Sequence, residues 1–379
     1  MKNAVVYLED GTCYYGQTLA TTGETSGEVV FNTAMSGYQE ILTDPSYAGQ
    51  IVTMTYPLIG NYGVNETDVE SGGVHVKGFL VKEFCRYHSN FRATESLIDY
   101  LNRYKVMAVE GIDTRALTRH LRERGAMRAI ISTEDLDPKS LAQKMKKVPS
   151  MEGADWVKEV ICKKPYLWPA EGEFKDRPRF RVAVIDCGVK FNILRIFARL
   201  GCECQVVPAG TTFEEIMAYK PDGLFISNGP GDPAAVPYVI SEAKKAVGKL
   251  PIFGICLGNQ IMGLALGGRT FKLKFGHHGA NHPVLDSRDE RIGITSQNHG
   301  FCVDIDSLDK EQIEIINKNL NDQTIEGIRH KKFPIYSVQH HPEAAPGPHD
   351  AQYLFKDFIT LMEESKKKQK TRAEIHNIQ

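Results

Sequence analysis

The residue best suited to nucleophilic chemistry is Cys256, in the stretch Gly254-Ile255-Cys256-Leu257-Gly258. The apolar run before it, Pro251-Ile252-Phe253, predicts a buried strand, and the apolar run after it, 261–266, predicts a helix. Cys256 is therefore expected at a sharp strand-to-helix turn, where the flanking glycines let the backbone bend and the helix start favours a thiolate. The alternative is a buried cysteine that serves only as a small hydrophobic side chain.

A thiolate nucleophile needs a base to carry its proton, and the base needs a group that orients it. Residues 335–343 begin as an apolar strand and end in His340-His341-Pro342-Glu343. Side chains alternate along a strand, so His341 and Glu343 share one face while His340 points to the other. This spacing selects His341 as the base and Glu343 as its orienting partner. His299 is a competing base, but no carboxylate lies two residues from it.

The loop 227–233 reads Ser-Asn-Gly-Pro-Gly-Asp-Pro and follows an apolar strand. Rigid backbone N–H groups at a strand end suit an oxyanion, because fixed donors need no reorganisation as the charge develops. We predict that the N–H groups of Gly229 and Leu257 form this oxyanion hole. A plain tight turn is the alternative for this loop.

Two other groups of polar residues are candidates for binding sites. Residues 295–301, Thr-Ser-Gln-Asn-His-Gly-Phe, follow a short predicted strand and could hydrogen-bond a zwitterionic substrate. His277, His278 and His282 could suggest a metal, but no cysteine or carboxylate accompanies them at a spacing typical of metal sites. We therefore predict structural or surface roles for these three histidines and no metal site.

The elements that must position these residues change character along the chain. From residue 181 onward, apolar strands, turns and helices alternate, which predicts an α/β fold with a doubly wound, mostly parallel sheet and helices on both faces. Ligands collect at the carboxyl ends of such strands, so the turns after Ser227 and Ile255 should meet at one crevice. The first half is mixed and turn-rich, which predicts a smaller mixed α/β domain. The predicted units are an N-terminal domain 1–150, a proline-punctuated linker 151–179, a second domain 180–364 and a charged tail 365–379.

Composition restricts the class of protein. A chain of 379 residues with 42% hydrophobic and 25% charged residues has the make-up of an ordinary globular protein. The formal net charge of -1 gives no electrostatic reason to expect nucleic acid or a membrane as a partner. The eight cysteines are scattered and predict no disulfide framework. Without a signal peptide or an apolar span of membrane length, we expect a cytoplasmic protein.

Three motifs of the second half, Asn228 to Asp232, Gly254 to Gln260 and His341-Pro342-Glu343, resemble the class I (triad) glutamine amidotransferase domain. That resemblance runs from about Arg181 to Glu364. The stretches 37–47, 55–63 and 111–115 resemble the N-terminal domain of the carbamoyl-phosphate synthase small-subunit family, as does 342–350. Together the resemblance covers nearly the whole chain and leaves only the charged tail unexplained.

The resemblance implies a reaction and a partner. L-Glutamine would be hydrolysed through a thioester on Cys256, and ammonia would pass through an interior route to a large synthetase subunit. That subunit would make carbamoyl phosphate from bicarbonate and two ATP for arginine or pyrimidine biosynthesis, within a heterodimer or higher oligomers of it. No cofactor is expected in this chain, and ATP and Mg²⁺ are expected in the partner. The implied glutamine-binding residues are Ser46, Gly229, Gly231, Leu257, Gln260, Asn298, Gly300 and Phe301.

The residues also leave rival functions open. The sequence contains no G-x-x-x-x-G-K-[ST] loop for phosphoryl transfer, so a partner is needed to make carbamoyl phosphate. One rival is a free-standing cysteine amidase on the same fold, or the amidotransferase subunit of another synthetase. The other is a non-catalytic interaction subunit, for which the intact triad has no explanation.

Overall fold

The computed structural model describes residues 2–376, so Met1 and residues 377–379 of the charged tail lie outside it. The described residues form a β-barrel unit followed by a large open sheet with helices on both faces. Among these residues, no helix is both long enough and apolar enough to cross a membrane.

The first unit is built on short apolar strands. Its strands are β1 (Lys2–Leu8), β2 (Cys13–Thr18), β3 (Glu24–Asn32), β4 (Gln50–Met54), β5 (Leu58–Ile59), β6 (Gly78–Leu80), β7 (Glu83–Phe84), β8 (Met107–Glu110) and β9 (Met127–Ser132). Its helices are α1 (Tyr38–Thr43), α2 (Leu97–Arg103), α3 (Thr114–Arg124) and α4 (Pro138–Met145). Seven strands close into a barrel in the order β1-β2-β8-β6-β4-β3-β9, while β5 and β7 pair separately. Closure buries apolar side chains on both faces of these strands.

The second unit repeats the strand, turn and helix pattern. Its strands are β10 (Tyr166–Trp168), β11 (Phe180–Asp186), β12 (Cys202–Pro208), β13 (Gly223–Ile226), β14 (Ile252–Ile255), β15 (Thr270–Asp286), β16 (Arg291–Val303), β17 (Ile313–Asn319), β18 (Ile325–His330) and β19 (Ile335–Val338). Its helices are α5 (Phe191–Arg199), α6 (Phe213–Ala218), α7 (Pro237–Ala246), α8 (Leu257–Ala265) and α9 (Tyr353–His376).

The sheet order is β10-β12-β11-β13-β14-β19-β18-β17-β15-β16. The five strands β12, β11, β13, β14 and β19 are parallel, and the flanking strands pair antiparallel. Helices α5 and α9 pack on one face of the parallel part, and α6, α7 and α8 on the other. The predicted α/β fold class is confirmed.

The predicted domain limits stay a prediction. In the structure, the predicted linker and the predicted tail both contact the folded units. The segment 151–179 contributes β10, which pairs antiparallel with β12, so this stretch is more than a spacer. Its Trp156 packs so closely on Gly49 of the barrel that a Cβ at Gly49 would lie 2.7 Å from the indole. Residues 365–376 of the tail continue α9, and Lys366 pairs with Asp222 at 2.9 Å.

One local expectation near the site needs correction. The polar residues 295–301 were expected after a short strand, but they lie inside the long strand β16. The polar stretch 36–47 contains α1 and one 3₁₀ turn, Pro45–Tyr47. Asp44 starts that turn, since its carboxylate accepts a hydrogen bond from the Ser46 N–H at 2.9 Å.

Candidate active site

Cys256 occupies the turn between β14 and α8 with φ 54° and ψ −104°. This positive φ is a strained conformation for a residue with a side chain, and such strain is typical of a nucleophile elbow. A Cβ on Gly258 would lie 2.1 Å from the carbonyl oxygen of Ile226, so only glycine lets α8 start this close to β13. The Cys256 N–H donates to the Val338 carbonyl at 2.8 Å, which fixes the turn to β19.

The predicted base and its orienting group meet. His341 Nδ1 lies 2.6 Å from Glu343 Oε1, and both side chains are buried. The carboxylate accepts from Nδ1–H, which leaves Nε2 as the atom available for proton transfer. Within residues 2–376, no group hydrogen-bonds His341 Nε2. The geometry therefore supports the assignment of roles to His341 and Glu343.

Lys190 is a member of the site that sequence reasoning missed. Its Nζ lies 3.0 Å from Glu343 Oε1 and donates to the Ala344 carbonyl at 2.5 Å, and its side chain is 2% exposed. Lys190 follows β11, so it lies at the same carboxyl edge of the sheet as the turn of Cys256. That position is the signal that could have identified it.

These buried groups set one another's charges. Burial lowers the pKa of His341, but the charges of Glu343 and Cys256 outweigh burial and raise that pKa to about 10. Burial raises the pKa of Glu343, but Lys190 and His341 outweigh it and lower that pKa to about 2. At neutral pH, Glu343 therefore carries a negative charge between two cations.

The Cys256 thiol faces the pocket wall. Its Sγ lies 3.5 Å from the Asn298 carbonyl oxygen, and Gln339 Nε2 donates to Sγ at 3.8 Å. Because the Asn298 carbonyl lies on β16, the sulfur is held between the elbow and that strand.

The pocket beside Cys256 unites seven of the eight expected glutamine-binding residues. They are Ser46, Gly229, Gly231, Gln260, Asn298, Gly300 and Phe301. Leu257 does not line the pocket, but its side chain would lie 2.9 Å from a Cβ on Gly229, so the loop of Gly229 packs on the first turn of α8. The N–H of Leu257 belongs to that first turn, where N–H groups lack helical acceptors. The pocket is also lined by Glu28, Gln50 and Met151, which were not predicted, and by His299 of the predicted polar group 295–301.

Asp44 of the barrel unit connects two of the expected substrate contacts. While its Oδ1 accepts from the Ser46 N–H, its Oδ2 accepts from Asn298 Nδ2 at 3.0 Å. Asn228 Nδ2 donates to Ser46 Oγ at 3.0 Å and ties this turn to the glycine-rich loop. Sequence reasoning missed Asp44, although an Asp-Pro-Ser sequence is typical of a capped turn.

A second, smaller cavity lies beside His341. Its volume is about 10 Å³, close to the room that one water molecule needs. Asn298 lines both this cavity and the pocket of Cys256. The cavity wall combines barrel and sheet residues, among them Asp44, Tyr47, Lys190, Gln297 and Pro346.

The histidines of β15 have carboxylate neighbours that their spacing along the chain did not reveal. His277 Nε2 pairs with Asp322 at 2.8 Å, and ligand atoms of His277, His299 and Glu326 lie within 4.8 Å of one another. These carboxylates lie far from the histidines in sequence, Asp322 between β17 and β18 and Glu326 in β18, so the spacing along the chain could not show them. The absence of a metal site stays a prediction. Both nitrogens of His299 already face oxygen atoms of the protein.

Comparison with known proteins gives two family matches. Residues 183–361 match the model of glutamine amidotransferase class-I, and residues 6–131 match that of the carbamoyl-phosphate synthase small chain, CPSase domain. The chain is 54% identical to the carbamoyl phosphate synthase small chain of Syntrophotalea carbinolica, over 97% of this chain and 99% of that protein. It is 52% identical to the proteins of the same name from Nitratidesulfovibrio vulgaris and Aquifex aeolicus, over 96% and 95% of this chain and 99% of each relative.

Proposed function

Because the chain belongs to the family of carbamoyl phosphate synthase small chains and is a glutamine amidotransferase subunit, we propose that it hydrolyses L-glutamine through a thioester on Cys256. The observation that carries this proposal is the pair His341 and Glu343, joined at 2.6 Å, beside an elbow cysteine in a pocket lined by Ser46 and Gln260.

The reaction begins when His341 takes the proton of the Cys256 thiol, and the resulting imidazolium stabilises the thiolate. The sulfur attacks the side-chain amide carbon of glutamine, and the N–H groups of Gly229 and Leu257 hold the oxyanion. His341 then gives its proton to the departing nitrogen, so that ammonia leaves and the acyl group stays on sulfur. Water, deprotonated by His341, cleaves the thioester and releases glutamate. Glu343 orients the ring and stays ionised throughout.

The rest of the pocket binds the amino-acid part of glutamine. Ser46, Gln260 and Asn298 offer hydroxyl and amide groups, and Gly231, Gly300 and Phe301 bring backbone close to the ligand. The turn of Ser46 comes from the barrel unit, so glutamine would bind where the two units meet.

Ammonia would leave by a route other than the one by which glutamine enters. The small cavity beside His341 lies next to the pocket and shares Asn298 with it. Its polar walls suit a small neutral molecule that hydrogen-bonds. Such a route would keep ammonia away from bulk water, where it becomes ammonium and loses its nucleophilic lone pair.

The family implies a large-subunit partner. We propose a heterodimer in which that subunit binds ATP and Mg²⁺ and uses the ammonia to make carbamoyl phosphate from bicarbonate for arginine or pyrimidine biosynthesis. A cytoplasmic location fits these substrates.

The test is glutaminase activity of the purified chain, alone and with a carbamoyl phosphate synthase large subunit, with and without bicarbonate and ATP. We expect low activity alone and a sharp rise with the complete system. A thiol-reactive glutamine analogue should label Cys256. High activity that is the same with and without the large subunit would instead indicate a free-standing amidase. No activity under either condition would contradict the proposal.

A further inference from the structure

A run of hydrogen bonds connects a buried carboxylate outside the pocket to the pocket wall. Glu326 Oε1 accepts from Gln297 Nε2 at 2.9 Å, and Gln297 Oε1 lies 2.9 Å from His299 Nε2. His299 Nδ1 lies 2.7 Å from the Phe301 carbonyl oxygen, which also accepts from Gln260 Nε2 at 2.7 Å. We name these five residues the Glu326 relay. It ends on Phe301 and Gln260, two of the expected glutamine contacts.

The Glu326 carboxylate determines which groups of the relay donate and which accept. An ionised carboxylate can only accept, so the amide of Gln297 must turn its Nε2 toward Glu326 and its Oε1 toward His299. The same orientation lets Gln297 Nε2 donate to Thr295 Oγ1 at 3.1 Å. Each ring nitrogen of His299 then faces an oxygen atom, Gln297 Oε1 at Nε2 and the Phe301 carbonyl oxygen at Nδ1.

Burial lowers the pKa of His299, and the neighbouring His277, His278 and His282 of β15 act in the same direction, while the hydrogen bond to the Phe301 carbonyl opposes them without reversing the shift. The relay therefore acts through the geometry of its hydrogen bonds and not through a charge on His299. Glu326 itself is 0% exposed and receives a second hydrogen bond, from Asn319 Nδ2 at 2.8 Å.

We propose that Glu326 is a positioning residue for glutamine binding, which acts through Gln297 and His299 to fix the Phe301 carbonyl and the Gln260 side chain. The inference rests on the proposed function, since glutamine is the ligand that these groups would hold. Glu326 touches neither glutamine nor Cys256, so its loss should weaken substrate binding more than it slows the chemical step.

The kinetic test is Glu326→Gln in the full chain assembled with a large subunit. A neutral amide at 326 can donate or accept, so the side-chain amide of Gln297 can rotate by 180° and present Nε2 instead of Oε1 to His299. We expect the KM for glutamine to rise about tenfold, as for loss of a buried hydrogen-bond partner. The kcat and the ammonia-dependent synthesis should stay within about twofold of the parent. Gln297→Met breaks the same relay with a side chain of similar length and should give the same rise.

Asp286→Asn is the matched control. Asp286 is a 3% exposed carboxylate of β15, held by Arg288 and Tyr353 and outside the relay. The Asp286→Asn variant should leave the KM for glutamine unchanged. An equal rise in KM for this control, or an unchanged KM in both relay variants, would overturn the proposal.

A spectroscopic test does not depend on turnover. In the full chain labelled with ¹⁵N-histidine, the ring ¹⁵N signals of His299 are assigned by their loss in His299→Gln. These signals should shift in Glu326→Gln and in Gln297→Met and stay unchanged in Asp286→Asn. Identical His299 signals in the parent and in both relay variants would contradict the relay, whereas the expected shifts in a chain without glutaminase activity would contradict only the proposed function.

Discussion

The barrel unit and the sheet unit contribute to the site in different ways. The sheet unit supplies a line of buried charges, Lys190, Glu343 and His341, beside Cys256. The barrel unit lines the pocket with Glu28 and Gln50 and supplies one short turn, from which Asp44 and Ser46 reach Asn298 and Asn228 through hydrogen bonds. In the proposed function, the charged groups of the sheet unit would take part in breaking the amide bond, while the barrel turn would help to hold the substrate. Changes in Cys256, His341 or Glu343 should therefore reduce kcat, and changes in the barrel turn should raise KM.

The largest effect is expected for Cys256→Ser. An oxygen at this position is a far weaker nucleophile than a thiolate, so glutamine-dependent synthesis should fall by at least about 1,000-fold. Ammonia-dependent synthesis by the assembled complex is the control and should persist. Glutamine turnover close to that of the parent would contradict the assignment of Cys256 as the nucleophile.

A smaller loss is expected when the base and its orienting group are changed separately. His341→Asn removes the proton carrier and should lower kcat about 100- to 10,000-fold. Glu343→Gln keeps an acceptor for Nδ1–H and should lower kcat only about ten- to a hundredfold. Steady-state kinetics of the two variants in the complex would check this order. Equal and complete losses would contradict the division of roles between these residues.

The barrel turn should show its effect in KM. Asp44→Asn puts an amide where a carboxylate now accepts from both the Ser46 N–H and Asn298 Nδ2. We expect the KM for glutamine to rise about tenfold while kcat changes little, because the chemical groups of the sheet stay in place. The affinity of the variant for the large subunit serves as the control for folding. A fall in kcat with an unchanged KM would place Asp44 among the groups that assist bond breaking.

The smallest expected effect is a pH dependence of stability. The pKa of His341 is raised to about 10, so its contribution is complete below its ordinary pKa of about 6.5 and is lost as the pH rises toward 10. The pKa of Glu343 is lowered to about 2, so its contribution is complete above about 4.5 and is lost as the pH falls toward 2. Glu343→Gln should therefore reduce Tm most between about pH 4.5 and 6.5.

Ser46→Ala is the comparison for this pH series, because it removes an uncharged hydrogen-bonding group from the barrel turn. Its effect on Tm should be small and the same across the series. Thermal unfolding of both variants and the parent from pH 3 to 10 would test this contrast. A Glu343→Gln effect that is flat with pH would show that the buried charges of the sheet unit are not coupled as described.

Much of the fold and the reactive residues followed from local patterns. A sharp turn between an apolar strand and a helix marked Cys256, and two-residue spacing joined His341 to Glu343, which the structure places 2.6 Å apart. The alternation of apolar strands and helices after residue 181 gave the α/β class. These features lie within a few residues of one another, so backbone geometry and side-chain periodicity suffice to predict them.

Other features depended on contacts between distant segments. The pairing of β16 with β15, and of β18 with β17 and β19, brought Glu326 to Gln297 and His299. Closure of the barrel and its packing against the sheet brought Asp44 to Asn298, 254 residues away in sequence. Lys190 reached Glu343 across 153 positions, because β11 and β19 end at the same edge of one sheet.

The amino-acid sequence was thus sufficient for the fold class and the family, and it predicted Cys256 as the nucleophile and His341 as its base. Strand order, register and the packing of one unit on the other decided which buried charges and amides surround those residues. The physical reason is that a local pattern constrains a residue and its near neighbours, whereas a buried polar group takes its partner from whichever segment the folded core places beside it.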